Sequence, residues 1–427
     1  MKTFLKSLII ISFISVVLIG CSAGGSSDDT NGEGGMDGVT LSLYSTVTNE
    51  ADQKAMESVI GKFEEEYPDI TIDYNFPAGE YESQLRVKMA ANDMPDLFDT
   101  HGWSQNRYGE YTMDLSDMNW VADLDPALEE IFTDEDGKVY AYPINQAKDG
   151  LTYNKNVLDD YGIEPPNTFD EFMTALETIK EESNGDVTPL WFGGSEEGEF
   201  GQFFDQFATP LLITHPDHDY SEALLDGSFD WEPYTFLPEK LLEMQEKELI
   251  NLDALTAQVH EKTQLLAQDK IAFVMATTPI GAVRELNPDA ELGVMPVPAI
   301  HEGGEQSWIG GERHTYAIWK DTEYPEEAKT FIEFLAQPEI VQELAEGTSL
   351  PAGLTNASAD IYFQPYYDEY SDVVVEPYFD RVFLPSGMWE PMGTAGQELL
   401  SGSLTPEDVS EKMATEYTRL LEQEGSE

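Results

Sequence analysis

The first constellation that could do chemistry is Thr100-His101-Gly102-Trp103, a tryptophan set beside a histidine and a glycine. Ser45 and Thr46 stand in a similar place, just after an alternating apolar segment. Trp191 ends another apolar segment and leads into Gly193-Gly-Ser-Glu-Glu197. An aromatic face ringed by carboxylates, amides, hydroxyls or imidazoles suits a polyhydroxylated ligand. The C–H faces of such a ligand stack on the ring, and its edge hydroxyls take the hydrogen bonds. A hydrolytic reading stays open beside this one. A glycosidase needs two carboxyl groups held roughly 5–10 Å apart across the bond. The 83 acidic residues supply many candidates. Nothing marks any of them as a tuned acid, so no catalytic residue is assigned.

Other constellations are weaker. His215-Pro-Asp-His218 has a proline between its histidines, which prevents a regular helical pair, so it reads as a surface loop and no metal is expected. Asp134-Glu-Asp-Gly137 lacks the further ligands of a calcium loop. No Gly-Lys-Ser/Thr phosphate cradle occurs. The single cysteine stands at position 21, so no thiol is left in the body for nucleophilic work. No cofactor is expected.

Loops of this kind need strands to present them. Val39–Val47 alternates and is rich in β-branched residues, which predicts a strand. A helix over Asn49–Tyr67 follows, with Met56, Val59, Ile60 and Phe63 at helical spacing and Pro68 as its stop. Strands at Ile70–Tyr74 and Asp96–Asp99 flank a helix over Tyr81–Ala91. This alternation predicts an α/β layer with a parallel sheet. Val139–Tyr142, Gly150–Tyr153, Leu190–Phe192, Ile271–Met275, Leu292–Pro296 and Thr315–Trp319 read as further strands. Thr168-Phe-Asp-Glu171 has capping-box spacing and opens a helix through Ile179. Helices are also expected over Pro325–Ala336, Pro338–Ala345 and Pro406–Leu421. Ligands of open α/β layers lie beyond the carboxyl ends of strands, which is where the candidate residues fall.

The N-terminus is of a different kind. Lys2 and Lys6 precede an apolar run from Leu8 to Ile19, broken by Ser12 and Ser15. That run is short of the roughly 20 residues that span a bilayer, and it reads as a secretory signal. Leu18-Ile19-Gly20-Cys21 resembles the bacterial lipobox, which implies lipid attachment at Cys21 and a location on the extracellular face of the membrane. Residues 21–38 hold mostly Gly, Ser and Asp and read as a flexible tether. With no second cysteine, no internal disulfide is possible. The remaining length suggests two domains. Against 83 acids stand only 22 bases, for a net charge of −61. Phosphate contacts need basic clusters, so nucleic acid is excluded as a partner. The acids are spread along the whole chain and read as a solvated surface whose self-repulsion salt relieves. Melting temperature is therefore expected to rise with NaCl. A flat or falling series would refute that reading.

Several segments in one order resemble the bacterial extracellular solute-binding proteins of the maltose-binding type, which serve ABC importers. These are Phe63-Glu-Glu-Glu-Tyr-Pro-Asp-Ile70, Met89-Ala-Ala-Asn-Asp-Met-Pro-Asp-Leu-Phe98 and Asp136-Gly-Lys-Val-Tyr-Ala-Tyr-Pro143. Leu151-Thr-Tyr-Asn-Lys155 with Pro165-Pro-Asn-Thr-Phe-Asp-Glu-Phe172, then Leu292-Gly-Val-Met-Pro-Val-Pro298 and Leu350-Pro-Ala352, complete the set. Asn92-Asp93 departs from the family, which has a glycine beside an acid there.

The resemblance implies an α/β, two-lobe periplasmic-binding-protein-like fold, with interleaved lobes, three crossovers and a ligand cleft between them. It places the crossings near Ile144–Lys148, Ile309–Glu312 and Ala345–Ser349. The lobes would then be 39–146 plus 311–345, and 147–310 plus 346–427. It implies a sugar ligand, most naturally a di- or oligosaccharide, and ABC permease transmembrane subunits as partners. One ligand per closing cleft suggests a monomer. By the same analogy Asn145 and Gln146 face the cleft from the first crossing. Trp308, Gly310 and Glu312 stand at the second. Glu196 matches an acid that binds ligand hydroxyls, and Trp389 matches a late aromatic that stacks on sugar. Thr277 stands where relatives often carry tryptophan. A cationic ligand such as a polyamine or peptide, held by Glu196 and Glu312, is the alternative within this fold.

Overall fold

The computed structural model describes residues 38–47, 50–76, 81–196, 198–278 and 280–424. Cys21, the signal segment and nearly all of the tether lie outside the described residues. Twelve strands are described: β1 (Val39–Tyr44), β2 (Ile70–Asn75), β3 (Leu97–Asp99), β4 (Tyr142–Pro143), β5 (Gln146–Asp149), β6 (Leu151–Asn154), β7 (Thr188–Trp191), β8 (Ile271–Met275), β9 (Leu292–Met295), β10 (Trp308–Glu312), β11 (Thr315–Ile318) and β12 (Val375–Pro377).

The first lobe is built on a five-stranded sheet of order β2-β1-β3-β11-β4. Leu41 and Leu43 of β1 are buried while Thr40 and Ser42 are not, as a period of two requires. The helix Glu50–Glu66 covers the sheet with Met56, Val59, Ile60 and Phe63. Phe63 meets the helix Pro325–Leu335 edge-on, with ring centres 4.9 Å from Phe331 and 5.3 Å from Phe334. A return segment from late in the chain thus completes the first core.

The second lobe holds a four-stranded sheet, β7-β8-β6-β9, and a three-stranded sheet, β12-β10-β5. The capping box forms as its spacing predicts. The Thr168 side chain accepts from the Glu171 amide, and Glu171 accepts from the Thr168 amide. Sequence reasoning missed the helix Gly198–Leu212. Twelve of its 15 residues are buried, yet its period was legible, because Phe200, Phe203, Phe204, Phe207 and Leu211 share one face and Glu199, Gln202, Gln206 and Thr209 the other. Phe200, Phe203, Phe204 and Phe207 make it the centre of the second core.

The expectation of parallel pairing holds for β1, β2 and β3 and for the pairs β7–β8 and β10–β12, but each sheet is mixed. β11 runs antiparallel to β3, and β6 runs antiparallel to both β8 and β9. The crossings supply the reason, because a strand entering from the other lobe pairs in whichever direction it arrives.

Ile144 packs in the first core and Ala147 in the second. Ile309 packs in the second and Tyr316 in the first. Leu354 packs in the first and Ile361 in another cluster of the second lobe. The third crossing therefore lies between Leu354 and Ile361, not near Ala345–Ser349. Ser349 adopts a left-handed conformation and turns the chain back, so that Gln146 N–H donates to the Pro351 carbonyl at 3.0 Å.

Candidate functional site

At the carboxyl end of β3 the buried carboxylate of Asp99 gathers the first lobe's loops. Its Oδ2 accepts from Thr46 Oγ1 at 2.5 Å and lies 3.2 Å from His314 Nδ1. Its Oδ1 accepts from the His101 amide at 2.9 Å and the Thr315 amide at 3.1 Å. Burial would raise the Asp99 pKa. The hydrogen bond from His314, the two imidazoles and the Thr46 hydroxyl outweigh it and hold the group below the ordinary carboxylate range. Burial and the positive charge of Arg381 also push the His101 pKa down, well below a free imidazole. Asp99, His101 and His314 offer ligand atoms within 4.8 Å of one another, as a metal site would. A carboxylate has about four lone-pair sites, and Thr46, His101, His314 and Thr315 already engage them. We read the cluster as a hydrogen-bonded hub.

The second crossing runs directly past it. Glu312, at the end of β10, is 3% exposed and its Oε1 accepts from the Ser104 amide at 3.3 Å. Burial pushes its pKa up to about 7, against the pull of that amide and of Arg381. Arg381 comes from the second lobe. Its guanidinium lies 4.0 Å from the Tyr378 ring centre and donates to the Glu312 carbonyl at 3.3 Å. A Cβ at Gly102 would sit 2.5 Å from Arg381 Nη1, and Gly102 has φ +90°. Only glycine meets both demands there. Asp380 N–H donates to Asp205 at 2.8 Å, which fixes the segment that carries Arg381.

Between the lobes lies a cavity of about 760 Å³. Trp103, Arg107 and Arg86 line it from the first lobe, and Arg381, Pro385 and Ser386 from the second. Arg107 lies 4.0 Å over the Trp103 ring and donates to Ser386 across the gap.

The structure sorts the sequence-predicted residues into groups. Ser45, Thr46, Thr100, His101 and Glu312 gather on or beside the Asp99 hub, where the hydroxyls of Thr100 and Thr315 bond. Trp103 lines the cavity. Asn145 and Gln146 are buried clamps between crossings. Asn145 Oδ1 accepts from the His314 amide, and its Nδ2 donates to Thr348. Gln146 Nε2 donates to Asp125 and to the Ala352 carbonyl. Thr277 is half-buried and donates to the Lys148 carbonyl. Glu196 is exposed. Trp389 opens the helix Trp389–Leu400 and packs over Gly201.

Three expectations need correction. Trp191 is 2% exposed and Trp308 is 1% exposed, both inside one apolar cluster of the second lobe. Both lie on strands buried on both faces, so neither ring is a platform. Gly310 faces β5 rather than a ligand, because a Cβ there would lie 2.0 Å from the Ala147 carbonyl oxygen. Asp99, His314, Arg107 and Arg381 were missed. An arginine set among aromatics in so cation-poor a chain was the available signal for Arg381.

The pattern of bacterial extracellular solute-binding proteins matches residues 48–342. The chain is 51% identical over 417 residues to the melibiose/raffinose/stachyose-binding protein MelE of Bacillus subtilis, covering 97% of this chain and 96% of that one. A Bacillus subtilis binding protein solved in an open conformation superposes with TM-score 0.88 at 51% identity, over 91% of this chain and 99% of that one. A sugar transporter of Bacillus licheniformis, solved with stachyose, superposes with TM-score 0.83 at 59% identity, over 90% of this chain and all of that one. The chain belongs to the bacterial extracellular solute-binding proteins.

Proposed function

We propose that this chain captures oligosaccharides of the melibiose, raffinose and stachyose class in the cleft between its lobes. It is the extracellular substrate-binding component of an ABC importer, and its ligand is a sugar. The carrying observation is the cavity of about 760 Å³ lined from both lobes, within the roughly 300–1,000 Å³ of small-molecule sites. The named sugars share a terminal α-linked galactose, and relatives named or solved with them match this chain at 51% and 59% identity. Trp103 is proposed as a stacking face, with Thr46, His101 and Glu312 as hydrogen-bonding groups around it. Trp389 and Glu196 are proposed to close on the ligand from the second lobe. The cationic alternative loses ground because Arg86, Arg107 and Arg381 all line the cavity and would repel it.

The chain binds and does not turn over its ligand in this reading. It acts as a monomer tethered through lipidated Cys21, beside its permease. Lobes of 39–146 plus 311–357 and of 147–310 plus 358–427 accommodate the later third crossing.

Titration calorimetry of the mature chain with melibiose, raffinose, stachyose, maltose and spermidine tests the assignment. Saturable heat with the galactosides and none with spermidine is expected. Trp103→Ala should weaken stachyose about ten-fold, which is roughly 1.4 kcal/mol. Heat with spermidine alone, or with no sugar, would overturn the ligand class.

A further inference from the structure

Away from the cleft, three of the chain's six histidines meet at one place on the second lobe. His215 and His218 lie in the loop after the helix Gly198–Leu212, and His301 lies between β9 and β10. A turn closed by His218 N–H on the His215 carbonyl, at 2.8 Å, holds the first two together. Ring centres are 5.2 Å apart for His215 and His218, and 5.4 Å for His215 and His301. His218 and His301 stack at 3.7 Å with planes 5° apart. All three are half-buried.

His301 is aimed by the backbone. Its Nε2 lies 2.8 Å from the Leu211 carbonyl oxygen. A carbonyl only accepts, so Nε2 carries the proton and Nδ1 keeps its lone pair. Metal-ligating histidines are oriented in this way, with one ring nitrogen donating to a carbonyl and the other presented to the ion.

We propose that His215, His218 and His301 form a binding site for one divalent ion of the Zn²⁺ or Ni²⁺ kind. Imidazole nitrogen suits these ions. Zinc–nitrogen bonds of about 2.0–2.1 Å in a tetrahedron place ligand ring centres roughly 5 Å apart. The two ring-centre separations from His215 match this, while the three ligand nitrogens converge only once the rings turn toward one another. The third opens when His218, on its loop, rotates off the His301 face. His215 accepts from the Asp217 amide at 3.2 Å, an exposed bond that it can exchange for the ion. The bound ion clamps the loop after the helix to the loop before β10. None of the three histidines lines the interlobe cavity, so sugar binding is not involved.

The test is calorimetry of the full chain, stripped with chelator, against ZnCl₂ and NiCl₂. Saturable binding of one ion per chain is expected. His301→Ala should weaken it by about ten-fold or more, and His260→Ala, at an exposed histidine elsewhere, should not. His218→Ala gives the same readout from an accessible loop should His301→Ala fail to fold. Unchanged stachyose binding in each variant shows that the body is intact. No saturable binding overturns the proposal. So does binding that survives both His301→Ala and His218→Ala, which would place the ion elsewhere.

Discussion

Asp99→Ala is expected to cost about 3–5 kcal/mol of stability and to remove ligand capture. The carboxylate is fully buried and accepts bonds from three backbone amides, the Thr46 hydroxyl and His314. Alanine leaves those donors in the protein interior with nothing to receive them. An unmet buried donor costs about 1–3 kcal/mol, and several in one place outweigh any gain from losing a desolvated charge. The loops carrying Thr46 and His101 lose their common anchor, so the cleft's first-lobe wall loses its shape along with its stability. Asp99→Asn keeps one acceptor oxygen but turns an amide nitrogen toward donors, so an intermediate loss is expected. Urea unfolding curves and stachyose titrations of both variants decide the matter. A loss under about 1 kcal/mol in Asp99→Ala would mean that water replaces the carboxylate and that the hub is not what holds these loops.

Most elements of the first lobe were legible because the two periodicities there are clean. Leu41 and Leu43 alternate, and Met56, Val59, Ile60 and Phe63 recur at helical spacing. The pattern weakens where an element is buried on every side. The strand β10 is buried throughout, whereas the helix Gly198–Leu212 was overlooked although its phenylalanines recur at helical spacing. Periodicity needs a polar face, and β10 has none. The third crossing was misplaced for a related reason. Leu354 is apolar whichever core it joins, and the sequence does not say which.

The site was legible by residue type and obscure by partner. Thr46, His101 and Trp103 were candidates because they follow strands, and the structure places Thr46 and His101 on the Asp99 hub and Trp103 on the interlobe cavity. Asp99 and His314 could not be found, because the bond between them joins positions on β3 and before β11. Trp191 and Trp308 misled because tryptophan serves cores and platforms equally well. Their place in the interior of β7 and β10 was the discriminating feature. In a chain with only 22 basic residues, Arg86, Arg107 and Arg381 gather on one cavity, a juxtaposition that only the structure reveals.

Glu312 gives the second large effect, and its sign follows from linkage. Its pKa is about 7 in the folded chain against an ordinary 4.5. Between those values the folded state holds a proton that the unfolded state has released. Raising the pH therefore favours unfolding across that window, and the stability held below it is lost by the time pH passes the folded value. A difference of this size corresponds to about 3 kcal/mol lost between about pH 4.5 and about pH 8. Glu312→Gln keeps the oxygen that receives the Ser104 amide and has no proton to lose. Urea midpoints of the two proteins should converge near pH 4.5 and separate toward pH 8, with the variant the more stable. Parallel curves would mean that the carboxyl ionises freely and is not desolvated. In the proposed site the same group would report on the ligand. Its Oε2 is buried and makes no hydrogen bond within the protein. A sugar hydroxyl donating to Oε2 favours the ionised form and lowers the pKa, so binding releases a proton near pH 7 and affinity rises with pH through that point. Calorimetry in two buffers of different ionisation enthalpy detects that proton directly. Its absence would remove Glu312 from the sugar's contacts and leave it a strained element of the crossing.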